Sequence, residues 1–191
     1  MNHNNEMENR NQAIDVDSLV SRMQKEDSRN KRMMRSVFYL YIFCTVFYAG
    51  LFIINPDPEL TTYDRLGGLF YVLAFLTGTF FFRREYHTLK NTDYTLPLFQ
   101  LLKTNEVRYR FFSWKWIIIL LILLLIDVGI SLSFLNPGRL MQFTILEKLV
   151  IIQGVFWSVM VAAGIVGYFL WKKRSYPIWK DSKTLLDELK A

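Results

Sequence analysis

"IIILLILLLIDVGISLSFL", residues 117–135, decides the fold. Nineteen residues hold a single charge, Asp127, and the apolar ones surround the helix on every side instead of lining one face. A helix needs about 20 such residues to cross roughly 30 Å of hydrocarbon. Three more runs of this kind flank it. Residues 36–55, 66–82 and 149–171 carry no Asp, Glu, Lys or Arg, and 116–137 carries Asp127 alone. The sequence therefore predicts an all-α integral membrane four-helix bundle with short cytoplasmic amphipathic helices. A soluble helix keeps a polar face, which these runs lack. The 52% hydrophobic and 16% aromatic content of the 191 residues agrees. A cleaved leader is not expected, because about 35 polar residues precede the first run, which is itself long enough to span.

The formal charge of +6 is unevenly placed. Lys and Arg number seven in 1–35, seven in 83–115 and six in 172–191, which is 20 of the 23. Four spans put those three segments on one side. Cationic loops stay in the cytoplasm, so both termini and the middle loop are expected there, in a multi-pass protein of the plasma (inner) membrane. The same cations attract anionic headgroups at about 1 kcal/mol each near the surface. That accounts for the basic character without nucleic acid. Arg83, Arg84, Lys90, Lys172, Lys173 and Arg174 stand next to span ends and are the headgroup candidates.

Three segments flank or interrupt the bundle. Residues 1–35 form a cytoplasmic lead: an Asn-rich, disordered start, then an amphipathic helix at about 16–34 with Val16, Leu19, Val20 and Met23 on one face. Asp15 or Asp17 is its expected cap. Residues 83–115 form the cytoplasmic loop, where Thr95 caps, Pro97 suits a first turn, and Leu98, Leu101, Leu102 and Tyr109 share a face. Residues 172–191 are a tail with a helix capped by Asp181 or Ser182 and an apolar face of Leu185, Leu186 and Leu189. Outside, Pro56 and Pro58 break the first spanning helix and Pro137–Gly138 ends the third, each followed by a short loop.

Asp127 lies about 18 Å along the helix from Lys115, near mid-membrane. An ionised aspartate there costs at least ~2.5 kcal/mol. It must face the bundle or hold its proton, and no Lys, Arg or His lies within any span to pair with it. The expected partners are Ser131, Thr45, Tyr48 and Ser158. Small residues recur every four positions at Gly154, Ser158 and Ala162, at Ala163 and Gly167, and at Ala74 and Gly78; in lipid such spacing lets backbones approach, inside one chain or in a homo-oligomer.

Enzymatic motifs are missing. There is no GxSxG, HExxH or Walker sequence, and the middle loop has no glycine to cradle a phosphate. One cysteine, Cys44, and two histidines, His3 and His87, make neither a disulfide nor an ordinary zinc site, so no metal or cofactor is expected. The sequence-level reading is a non-enzymatic multi-pass protein that anchors or regulates a cytoplasmic partner at the membrane. The alternative is a small proton-coupled transporter using Asp127.

Overall fold

The computed structural model describes residues 15–111, 113–135 and 143–190. These residues form five α-helices and no strand: α1 (Val16–Ala49, extended by a π-helical turn Gly50–Ile54), α2 (Thr62–Lys90), α3 (Leu98–Tyr109), α4 (Lys115–Phe134) and α5 (Ile145–Glu188). All but α3 are long and apolar enough to cross a membrane. The protein is an all-α membrane protein with four spanning helices. The Asn-rich start and the Pro137–Gly138 turn lie outside the described residues.

Two expected boundaries are absent. The amphipathic helix near residues 16–34 and the first span are one helix of 34 residues, because no Gly or Pro interrupts Val16–Ala49. Asp15 caps it by accepting from the Asp17 amide. At the other end the π turn closes with the Asn55 N–H on the Gly50 carbonyl, and Asn55, which precedes Pro56, turns extended. Likewise α5 carries the fourth span and the tail without a break for 44 residues, about 66 Å at 1.5 Å per residue. It passes through Pro177, which lacks an N–H and leaves the Lys173 carbonyl without its helical donor. Neither Asp181 nor Ser182 therefore caps a separate helix. Thr95 caps nothing either; its amide and hydroxyl donate to Asp93, and Pro97 holds the cap position of α3.

Two helices start with reciprocal capping boxes, Thr61 with Asp64 and Thr144 with Glu147. They fix where α2 and α5 begin after the outer loops. The second span is longer than its 17 uncharged residues: α2 runs two further turns past Phe82 to Lys90.

Within the membrane, α2 is the middle helix, with α1 on one side and α4 on the other. Glycine makes this close approach possible. A Cβ on Gly68 would fall 2.1 Å from Phe52, and one on Gly78 2.1 Å from the Tyr41 ring. On the opposite face Gly67 lies against Ser133 and the Gly129 carbonyl, and Gly129 against Tyr71. Ala74 is fully buried between them. Tyr41 also meets Phe75 and Phe82, with ring centroids 5.5 and 5.0 Å away. The span of α5 stands apart, touching α4 along a short stretch, and Val161–Leu170 are all exposed.

Beyond the membrane the first half of α1, all of α3 and the last turns of α5 close into a small head. Leu19, Met23, Leu102, Tyr109, Ile178 and Leu186 are its buried core, with Tyr94, Leu98, Trp179 and Leu185 packed around them. Three amphipathic faces that would each have needed the bilayer surface bury one another instead.

Candidate functional sites

Two polar clusters stand out, one at membrane depth and one in the head. The first joins α4 to α5. The Gln153 side-chain amide donates to Asp127 Oδ1 at 2.7 Å and to Ser131 Oγ at 3.0 Å. Its carbonyl accepts from the Trp157 indole at 2.9 Å, one turn along. Asp127 and Ser131 sit one turn apart on α4, so one amide bridges both. In hydrocarbon, polar groups unpaired with water seek such partners. Of the other residues expected beside Asp127, Thr45 donates to the Tyr41 carbonyl and Ser158 to that of Gly154, each satisfied within its own helix. Tyr48 packs among Phe52, Tyr71 and Phe75 between α1 and α2. Gln153 was hidden in an uncharged run; an amide in a span is the sequence signal that points to it.

The second cluster centres on Asp27, which is 3% exposed. Its carboxylate accepts from Tyr94 Oη at 2.7 Å, Tyr109 Oη at 2.6 Å and Arg108 Nη1 at 2.6 Å. Three donors from the loop and α3 thus converge on one acceptor from α1. A buried carboxylate survives when paired and saturated with hydrogen bonds, as here. Burial raises both tyrosine hydroxyls well above their ordinary value of 10.0, and the neighbouring Asp27 charge raises them further. Arg22 pairs with Asp181 at 2.7 Å, tying α1 to α5, and the Trp171 indole donates to the Tyr109 carbonyl, tying α5 to α3. Sequence periodicity found Tyr109 but not Asp27, because an acid among "KEDSRNKR" reads as a solvated charge.

The headgroup candidates Arg83, Arg84, Lys90, Lys172, Lys173 and Arg174 are all exposed. Arg84 alone of these lines a cavity of about 480 Å³, with His87, Asn105 and Arg108. Lys173 and Arg174 line a cleft of about 250 Å³ with Arg22, Lys25 and Arg29. Of the small residues on α5, Gly154 and Gly167 would carry a Cβ into open space, and Ser158, Ala162 and Ala163 are exposed. Among the described residues no three His, Cys, Asp or Glu side chains converge to hold a metal ion.

No protein-family model, curated protein or solved structure matches this chain. The class it belongs to is set by its own architecture: a four-span, all-α membrane protein whose helices α1 and α5 run on into a folded polar head.

Proposed function

We propose that the protein is a non-enzymatic membrane anchor whose head, on the cytoplasmic side of the plasma (inner) membrane, docks and positions a partner protein. The supporting observation is the head itself. Three chain segments share one core there, and two of them are rigid continuations of spans, so the head's position is fixed relative to the bilayer. Its outer face is not uniformly polar. Phe99 on α3 is 42% exposed, and Leu96 and Val107, which border the cavities between α2 and α3, are 39% and 65% exposed. Apolar side chains on the open face of a polar head are what a partner covers. The basic distribution supports the orientation. Photo-crosslinking from position 103, exposed one turn from Phe99, in native membranes should trap a defined protein, and Phe99→Asp should abolish the adduct while leaving the protein membrane-inserted. No adduct above that from an exposed control position such as Lys183 would sink the reading.

A second reading, a small proton-coupled transporter, draws on the Asp127–Gln153–Ser131 cluster. It requires that Asp127→Asn abolish proton flux into liposomes carrying the purified protein. Equal flux in the variant, or none in the parent, would remove it.

A further inference from the structure

The cavity beside the head borders the docking face at Leu96 and Val107, but its polar lining serves neither anchoring nor proton movement. It lies between the end of α2 and α3 and measures about 480 Å³. A second lobe of about 310 Å³ shares four of its walls, Arg84, Thr88, Thr104 and Arg108, and runs on to Phe81, Trp114 and Ile118 at the ends of the spans. The two lobes form one groove, polar at the head and apolar towards the hydrocarbon.

Its chemistry is directional. Arg84 and His87 are exposed cations or donors on the last turns of α2. Arg108 also lines the groove, with its charge paired to Asp27 through Nη1. Two carboxylates border the groove, and both are engaged. Asp93 accepts from the Thr95 amide and hydroxyl, and Glu85 pairs with Lys115. The Thr88 and Thr104 hydroxyls donate to helical carbonyls and keep free lone pairs. At the inner wall stands Asn105, fully buried. Its amide nitrogen is turned to Met23 Sδ at 3.0 Å, and its Oδ1 has no hydrogen-bond partner. A buried acceptor without a donor costs about 1–3 kcal/mol unless something fills it. The site therefore offers a guanidinium and an imidazole donor at its mouth and unfilled acceptors inside, with a greasy exit.

We infer that this groove binds a phosphate ester bearing free hydroxyls, its phosphate on Arg84 and His87 and a hydroxyl donating to Asn105 Oδ1. The apolar exit makes the glycerol-phosphate head of a membrane lipid the favoured source. A soluble glycerol phosphate carries the same chemistry without the tail. The other basic cleft, between α1 and α5, gathers more cations, but none of the buried polar atoms without a partner among the described residues lines it.

The test uses the full chain purified in detergent and returned to nanodiscs containing phosphatidylcholine with either phosphatidylglycerol or phosphatidic acid. Lipid retained is read by native mass spectrometry, with sn-glycerol 3-phosphate as competitor. Phosphatidylglycerol should be retained over phosphatidic acid, which lacks the hydroxyls. Arg84→Gln should lower its retention about tenfold, the loss of one charge-assisted contact. Thr104→Phe, which fills the junction of the lobes without changing charge, should do the same, whereas Lys172→Gln with Lys173→Gln should leave it within about twofold. Binding of glycerol 3-phosphate that Thr104→Phe abolishes, with no retained lipid, would support the same site with a soluble ligand. Equal retention of the two lipids, no binding of either probe, or variants at Arg84 and Thr104 that bind like the parent would overturn it.

Discussion

α2 and α5 are both membrane helices carrying glycines at helical spacing, and they use them in opposite ways. On α2, Gly67, Gly68 and Gly78 each touch a neighbouring helix so closely that a methyl would collide with it. On α5, Gly154, Gly164 and Gly167 face open space. The small-residue pattern is the same; what differs is whether a bulky partner stands opposite. Tyr41 and Phe52 fill the dents in α2, and nothing comparable among the described residues faces α5. Packing in lipid has no hydrophobic drive between helices, so close fit and hydrogen bonds must supply the contact. α2 is fastened by fit. α5 is fastened by Gln153 within the membrane and by the head beyond it.

The largest effect should come from unfastening the head. Asp27→Leu removes the acceptor of two tyrosines and leaves Arg108 charged and 12% exposed. Breaking such a buried pair costs about 3–5 kcal/mol. Limited proteolysis should then cut near Lys90–Leu98 while the α1–α2–α4 contact survives. Alkali should act on the same network. Tyr94 and Tyr109 have folded-state values above 10.0, so the folded head holds its protons where the unfolded chain loses them. Their contribution is complete below pH 10 and falls as pH rises beyond it, visible as a drop in Tm of the head across that range. Phenylalanine at both positions should flatten the alkaline limb.

Next comes the fit on α2. Gly78→Leu drives a side chain into Tyr41 and should destabilise the solubilised protein by about 1–3 kcal/mol. Gln153→Leu should cost about 1.2 kcal/mol, two hydrogen bonds between membrane helices at about 0.6 kcal/mol each. Smallest of all, Gly164→Leu on α5 should change stability by no more than about 0.5 kcal/mol in the monomer. If its cost instead matched that of Gly78→Leu, the stripe on α5 would be covered by another chain, and the contrast between the helices would belong to the monomer alone.

Much of the architecture was legible in the residues. Three uncharged runs and a fourth carrying Asp127 alone marked four spanning helices, and the apolar faces of Leu19 and Met23, of Leu101 and Leu102, and of Leu185 and Leu186 marked the segments outside them. What those faces would meet was not legible. Each is equally suited to a bilayer surface, and the fold pairs them with one another. The continuity of α1 and α5 was missed because a change in composition at the membrane edge looks like a boundary, although the backbone sees no breaker between Val16 and Ala49 and tolerates Pro177.

By itself the sequence determined that this chain crosses lipid and that its cations gather on one side, since solvation of long uncharged runs and of charged loops depends on composition and order alone. The tertiary structure decided the rest. It gave Asp127 an amide from another helix as partner, put Asp27 beneath two tyrosines and an arginine, and left Asn105 facing a groove. The first two join residues 26 or more positions apart, the third sets two helices side by side, and local pattern carries no record of which surfaces meet.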